Sequence, residues 1–167
     1  GKIISHTWND NGVYTVGLRV TDSEGASDSD TVEITVLNIS PSVEAGRDQT
    51  VDEGYIVQFS GNFTDPGQDT HRFEWNFGDG ETVTGTQTPT HIYHDDGTYT
   101  ATFTVKDDDG GADTDTVTVT VNNVAPIVDA GPDATIDEGG TFTGSGNFTD
   151  PGDDIWAATV DYGEGDG

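Results

Sequence analysis

The stretch Trp-Asn-Phe-Gly-Asp-Gly at residues 75–80 ends an apolar segment in a turn flanked by glycines. His-Ile-Tyr follows at residues 91–93 and Gly-Thr-Tyr at residues 97–99, where Thr and apolar residues begin to alternate as far as Val105. Strict alternation is typical of a strand with one buried face, and Gly and Asp clusters mark the turns between strands. No stretch of the sequence has convincing helical periodicity. The pattern therefore predicts an all-β fold.

The composition is dominated by acidic residues. The 167 residues include 32 acidic and 5 basic ones, which gives a formal net charge of −27. Such a surface repels nucleic acid and anionic membranes and attracts cations, Ca²⁺ above all, although acidity also serves solubility or a salty habitat. The sequence has no Cys, which excludes disulfides and thiolate metal sites. No membrane span or signal peptide is visible, and a targeting segment could lie upstream.

A single offset of 85 residues relates distant parts of the chain. Asn-Phe-Thr-Asp-Pro-Gly at residues 62–67 recurs at residues 147–152, and Asp-Glu-Gly at residues 52–54 recurs at residues 137–139. An offset that does not drift indicates a repeated β module of 85 residues. In this frame the chain contains the second half of one repeat, one complete repeat and the first half of another, at residues 1–37, 38–122 and 123–167.

Half a β-sandwich cannot bury its inner face and leaves strand edges unpaired. Closure of the two halves on each other would have to reach around the middle repeat, and the Asn-x-x-Pro linkers at residues 38–41 and 123–126 make that awkward. If the half of one chain completes the half of the next, the product is an open head-to-tail filament. The alternative is that the chain is a section of a longer tandem array, and the sequence does not choose between them.

The alternation and turn signals place seven short strands in the complete repeat, which suggests a two-sheet sandwich. They are predicted at residues 42–44, 49–51, 55–63, 71–77, 81–84, 98–106 and 114–121.

The turn motif at residues 75–80, with His-Ile-Tyr, Gly-Thr-Tyr and the Val-Lys-Asp-Asp-Asp-Gly of residues 105–110, resembles the PKD (polycystic kidney disease) domain. The resemblance covers the whole chain as half, whole and half repeats. It implies immunoglobulin-like β-sandwiches and an extracellular or cell-surface location. It also implies a role in surface-layer proteins, adhesins or accessory modules of secreted hydrolases, without catalytic activity of its own.

Some members of this family bind Ca²⁺ where the interdomain linker, an Asp-containing turn and the acidic turn after the long strand converge. The resemblance implies the following ligands in the complete repeat and then, at the 85-residue offset, in the two halves: Asn38, Asp65, Asp69 and Asp107, and Asn123, Asp150 and Asp154 with Asp22. Asp153, where the complete repeat has Gln68, is a further candidate. The second ion would be shared between two half-repeats. Alternatively, these residues only form turns through side-chain to backbone hydrogen bonds.

The half-repeats depart from the motif at two tryptophans. Trp156 falls at the position of His71, and Trp8 at the position of Tyr93. If both side chains point inward, they meet across a junction between chains and anchor it. The alternative is an ordinary tryptophan in each half.

Several other positions have structural interpretations. Asp79 and Glu164, each between two glycines, are predicted to form hairpin turns. His6 and His91 share a spacing of two residues to an aromatic residue, which favours structural histidines. The N-glycosylation pattern occurs at Asn38, Asn62 and Asn147, where the repeated pair is first a feature of the repeat.

Two functions follow as hypotheses. The first is a Ca²⁺-stabilised structural protein of a surface filament, stalk or adhesin, which self-associates into a homopolymer or belongs to a longer tandem array. The second is an accessory module of a secreted hydrolase that binds cell-surface or matrix carbohydrate or protein. The sequence offers no Cys nucleophile and no Ser in a nucleophile elbow, so we expect no enzyme.

Overall fold

A computed structural model describes residues 3–163, which form thirteen β-strands and no helix. The all-β prediction is therefore confirmed. The strands are β1 (Gly12–Thr21), β2 (Ser27–Val36), β3 (Ser42–Glu44), β4 (Gln49–Asp52), β5 (Ile56–Gln58), β6 (Asn62–Thr64), β7 (Arg72–Asn76), β8 (Thr82–Thr84), β9 (Thr90–Ile92), β10 (Gly97–Lys106), β11 (Ala112–Asn122), β12 (Ile127–Asp129) and β13 (Asn147–Thr149). None of the described residues forms a helix that is long and apolar enough to cross a membrane.

The complete repeat (residues 38–122) is a sandwich of two layers. One layer is a five-stranded sheet in the order β4-β11-β10-β7-β8, in which only the β4–β11 pair is parallel. The other layer consists of the antiparallel pairs β3–β6 and β5–β9. The alternating strand β10 runs through the middle of the five-stranded sheet, so its apolar residues face the opposite layer.

The core lies between these layers and follows the period of two. Ala101, Phe103 and Val105 on β10 are buried, and the threonines between them are half-buried. The indole of Trp75 stacks on the ring of Phe103 with 4.7 Å between ring centroids. The tryptophan of the opening motif is thus the centre of the core, next to the strand that the alternation predicts.

The prediction of a single strand at residues 55–63 is wrong. The segment forms two strands, because β5 pairs with β9 whereas β6 pairs with β3. Gly61 lies between them against the ring of Phe103, where a Cβ atom would come within 2.5 Å of that ring. The chain changes its strand partner here, at a position where the close approach of the Phe103 ring leaves no room for a side chain. Strand β9 was not predicted either, so the complete repeat has nine strands instead of seven.

The flanking segments keep the local pattern of the repeat. Strands β1 and β2 form a hairpin with ten paired residues on each side, and β12 pairs with β13. Most apolar residues of these strands, such as Leu18 and Val128, are exposed. Among the described residues, neither β1 nor β2 pairs with β12 or β13. The boundaries at residues 1–37, 38–122 and 123–167 stay a prediction, and Glu164 with its turn lies outside the described residues.

Candidate metal centre

Acidic side chains meet at the two junctions between successive segments. At the first junction, where residues 3–37 contact the complete repeat, the backbone amide of Gln68 donates a hydrogen bond of 2.8 Å to the backbone carbonyl of Asn9. Carboxylate oxygens of Asp10, Asp69 and Asp109 lie within 4.8 Å of one another there. Asp10 precedes β1 and the other two belong to the complete repeat, so this group spans the junction.

The structure brings Asp65 and Asp69 together at the first junction. Asp65 accepts a hydrogen bond from the Gly67 amide and contacts His71 Nε2 at 3.0 Å. Asp69 Oδ2 is buried and has no hydrogen-bond partner. Burial and the negative charge of Asp65 raise the pKa of the Asp69 carboxyl group above its usual value of 3.8. Asp69 therefore has an oxygen available for a cation.

Asn38 and Asp107 also meet, but they bond to each other. The Asn38 Nδ2 group donates a hydrogen bond of 2.8 Å to Asp107 Oδ2, while Oδ1 accepts from the amides of Asp109 and Gly111. These hydrogen bonds hold the pKa of the Asp107 carboxyl group below 3.8, and the bond from Asn38 has the largest effect. The carboxylate thus closes the turn after β10, and neither residue belongs to the acidic group described above.

Asp22, the counterpart of Asp107 in the first segment, has the same turn role. Its Oδ1 accepts hydrogen bonds from the amides of Glu24 and Ala26 in the turn between β1 and β2. Within residues 3–163, Asp22 does not belong to a group of three candidate metal ligands.

The second junction, where the complete repeat contacts residues 123–163, repeats the first. The Asp153 amide donates to the His94 carbonyl at 2.7 Å, and these residues are the counterparts of Gln68 and Asn9. The structure brings Asp150 and Asp154 together, and each offers an oxygen within 4.8 Å of Glu53. The side chains of Asn123 and Asp153 are exposed and belong to no such group among the described residues.

The electrostatics of the second junction resemble those of the first. Burial and then the charges of Asp150, Asp95 and Asp96 raise the pKa of Asp154 above 3.8. Asp150 Oδ1 accepts from the Gly152 amide at 2.7 Å, while its Oδ2 is buried without a hydrogen-bond partner. Crowded carboxylates repel one another unless a cation lies between them.

The junctions differ in one partner. His71 contacts Asp65 in the complete repeat, but its counterpart is Trp156, which packs against Phe148 and is no partner for Asp150. The second junction consequently leaves more carboxylate oxygen unsatisfied than the first.

The donor set fits a hard cation. The orphaned buried oxygens belong to Glu53, Asp69 and Asp150, and carboxylate oxygens are what Ca²⁺ prefers. Among residues 3–163, each ion pair has His71 or His91 as its basic member, so no Lys or Arg neutralises these carboxylates.

Sequence reasoning missed Glu53 and the acidic residues that precede the long strands, Asp10, Asp95 and Asp96. A signal existed, because Glu53 recurs as Glu138 and Asp10 as Asp95 at the 85-residue offset. Glutamate is normally exposed, so its repetition at a turn did not indicate burial.

His91 and Trp8 pack against aromatic neighbours. His91 Nε2 contacts Asp79 Oδ2 at 2.6 Å and its ring stacks on Phe77, which confirms a structural histidine. Trp8 packs between His6 and Tyr14. The junction role of Trp8 and Trp156 stays a prediction.

The three candidate glycosylation sites differ in exposure. Asn38 is half-buried, whereas Asn62 and Asn147 are exposed on β6 and β13. Their modification stays a prediction.

A groove lies on the five-stranded sheet and extends to His71. It has a volume of about 580 Å³ and includes His71, Arg72, Glu74 and Lys106 in its lining. Arg72 and Lys106 are cross-strand neighbours on β7 and β10, and they are two of the five basic residues in the chain.

The chain is similar to known proteins. It is 33% identical over 140 residues to the dyslexia-associated protein KIAA0319 homolog of Mus musculus, which covers 75% of this chain and 13% of that protein. The PKD1 domain of Vibrio anguillarum Epp matches at 27% identity with a TM-score of 0.43, covering 51% of this chain and 96% of that domain. The PKD1 domain of the Vibrio cholerae metalloprotease PrtV matches at 32% identity with a TM-score of 0.40, covering 50% and 99%.

The match to a family is broader than these likenesses. The sequence profile described as "PKD domain" matches residues 1–36 and 38–121, which is more than half of the chain. The turn motif at the end of β7, the two-layered sandwich of the complete repeat and this match agree, and the chain belongs to the PKD domain family.

Proposed function

We propose that the chain is a non-catalytic, extracellular structural module in which tandem PKD-type repeats are stabilised by Ca²⁺ at their junctions. A surface filament, stalk or adhesin is the setting that such a module suits. PKD domains are generally non-catalytic and occur in extracellular proteins, and membership of that family supports both parts of the proposal. The chain spans 13% of the length of the curated relatives it matches, so it corresponds to a small part of those proteins.

The observation that carries the proposal is the repetition of one junction. The bond from Gln68 to Asn9 recurs from Asp153 to His94, 85 residues later, and acidic groups with unsatisfied oxygens lie beside both bonds. An ion bound at such a junction connects two repeats that are otherwise joined by a short linker. Because it binds only the folded arrangement, it also stabilises that arrangement by linkage.

Thermal unfolding with and without Ca²⁺ tests this function. We expect Ca²⁺ to raise the midpoint, measured by far-UV circular dichroism, and a chelator to reverse the effect. Mg²⁺ at equal concentration is the control, because it demands a small octahedral site and gives up water reluctantly. A midpoint that does not change with Ca²⁺ would overturn the structural ion.

The exposed faces of the flanking segments support self-association. Leu18 and Val128 are exposed, whereas their counterparts Phe103 and Val43 are buried in the complete repeat. A second copy, or a neighbouring repeat of a longer array, offers the complementary half, and Trp8 and Trp156 would then lie near the new contact. Sedimentation velocity over a range of concentrations distinguishes these cases. Completion between chains predicts multiples of the monomer mass, and one monomeric species throughout would contradict it.

The groove on the five-stranded sheet supports a second candidate, an accessory module that binds carbohydrate. Its volume of about 580 Å³ and the neighbouring bases Arg72 and Lys106 in its lining suit a small ligand with acidic groups. Titration calorimetry with acidic oligosaccharides tests this function. Binding that is lost in Arg72→Ala would support it, and the absence of binding to wild type would exclude it for these ligands.

A further inference from the structure

Glu53 is a fully buried charged residue at the second junction, with an exposed fraction of 0%. It lies in the turn between β4 and β5. Its Oε1 accepts a hydrogen bond of 2.7 Å from the amide of Val124 in the linker, while its Oε2 is buried without any hydrogen-bond partner. A buried carboxylate is costly unless its oxygens are paired or bind a metal. Oε2 therefore needs a partner that the described residues do not supply.

Two groups of carboxylates share Glu53. One oxygen each from Glu53, Asp150 and Asp154 lies within 4.8 Å of the others, and the same holds for Glu53, Asp95 and Asp96. Three of these residues belong to the complete repeat, and two belong to the segment that follows. Like charges at this spacing repel strongly in a partly dry interior, so the arrangement calls for positive charge.

The close approach of the two segments is built into the backbone. The Asp153 amide donates a hydrogen bond of 2.7 Å to the His94 carbonyl, next to Asp95. Gly152 lies directly against the Glu53 carboxyl group, where a Cβ atom would come within 2.6 Å of the carboxyl carbon. A larger residue at position 152 would displace either the Glu53 carboxyl group or the acidic turn. The carboxylates thus converge where a main-chain hydrogen bond and the small residue Gly152 allow the two segments to approach closely.

We propose that Glu53 is the central ligand of a Ca²⁺ site between two repeats, with Asp95 and Asp96 on one side and Asp150 and Asp154 on the other. This inference rests on the proposed function and changes its ligand set. The predicted ligands Asn123, Asp153 and Asp22 are replaced by three carboxylates of the preceding repeat. Ca²⁺ accepts about six to eight oxygens in flexible geometry, whereas Mg²⁺ demands a small octahedral site. A set of five carboxylates therefore suits Ca²⁺ better than Mg²⁺.

The site gives the Asp-Glu-Gly turn a function. Glu53 holds the linker through Val124 and the next repeat through the ion, so a single side chain couples both. With the ion bound, the junction is a rigid joint. Without it, the repulsion among the carboxylates opens the joint, and the repeats change their relative orientation.

Calorimetric titration of the full chain with CaCl₂ tests the site through Glu53→Gln. The matched control is Glu138→Gln, because Glu138 is the counterpart of Glu53 at the 85-residue offset and is exposed. We expect Glu53→Gln to lose one bound ion and part of the Ca²⁺-induced rise in melting temperature. We expect Glu138→Gln to bind as many ions as wild type with the same affinity.

The outcomes separate this inference from the proposed function. If wild type and Glu53→Gln bind Ca²⁺ equally, the role of Glu53 is overturned while a structural ion stands. If wild type neither binds Ca²⁺ nor gains stability from it, the proposed function fails as well. Should Glu53→Gln not fold, as judged by circular dichroism, Asp154→Asn takes its place. Asp154 is only half-buried, and its replacement is expected to remove the same ion.

Discussion

The complete repeat and the flanking segments have the same sequence pattern but opposite burial. Phe103 is 0% exposed, whereas its counterpart Leu18 is 65% exposed, and Val57 at 1% corresponds to Phe142 at 55%. Strand β1 nevertheless forms with the same length as β10 and pairs with β2 as β10 pairs with β11. Alternation and turn residues therefore specify the hairpin, while burial requires the second layer of the sandwich.

The largest expected contrast is between two truncations at equivalent positions. Phe103→Ala removes a ring that stacks on Trp75 in the core and should lower the unfolding free energy of the complete repeat by about 3–5 kcal/mol. Leu18→Ala removes a side chain that is already exposed, so its effect should be below about 1 kcal/mol. Urea unfolding followed by tryptophan fluorescence measures both. Equal losses would show that the first segment is buried in solution, against this comparison.

His91 contacts the carboxylate of Asp79, whereas its counterpart His6 contacts the ring of Trp8, and this difference predicts a pH-dependent contrast in stability. Burial alone would raise the pKa of Asp79, but hydrogen bonds from the Glu81 amide and from His91 outweigh it and hold that pKa below 3.8. A lowered pKa in the folded state adds stability above about pH 4, which is lost as the pH falls through the lowered value. Asp79→Asn should therefore destabilise the protein at pH 7, and the difference from wild type should shrink below pH 3.8.

His6→Gln is the control for this experiment, because His6 is exposed in the first segment and, among the described residues, contacts Trp8 and not a carboxylate. The ring centroids of His6 and Trp8 are 4.8 Å apart. It should leave the urea midpoint unchanged at both pH values. A difference between wild type and Asp79→Asn that stays constant down to pH 2 would exclude the carboxylate as its source.

The smallest contrast concerns two tyrosine hydroxyls. Tyr99 donates to the Asp95 carbonyl at 3.0 Å, and its counterpart Tyr14 donates to the Asp10 carbonyl at 2.9 Å. Tyr99 also stacks on the buried Tyr93. Tyr99→Phe should cost about 1 kcal/mol in urea unfolding of the complete repeat. Tyr14→Phe should affect only the first segment and leave the urea midpoint of the complete repeat unchanged. A shift of that midpoint by Tyr14→Phe would contradict the comparison, because it would show that the two segments unfold together.

The sequence predicts the long strands well because their signal is local. The alternation from Tyr99 to Val105 requires only a strand with one buried face, and β10 has it. The break at Gly61 depends on the ring of Phe103, which is 42 residues away in sequence, so no local signal marks it. Glu53 was missed for a similar reason, because its burial arises from a contact with the following repeat.

The predicted ligand set is instructive for the same reason. Asp65 with Asp69 and Asp150 with Asp154 are close in sequence, and the structure brings each pair together. Asn38 and Asp107 meet across 69 residues but satisfy each other. Which distant carboxylates meet depends on how successive repeats are oriented, and one repeat alone does not encode that.

Hydrogen–deuterium exchange with and without Ca²⁺ tests most directly whether a cation orders the junctions. The informative amides are those of Val124 and Asp153, which donate to Glu53 and to His94 across the second junction. Our account predicts that Ca²⁺ slows exchange in peptides that contain these amides and leaves β10 and β11 unchanged, because the core of the complete repeat does not depend on the ion. Equal exchange at Val124 and Asp153 with and without Ca²⁺ would contradict it.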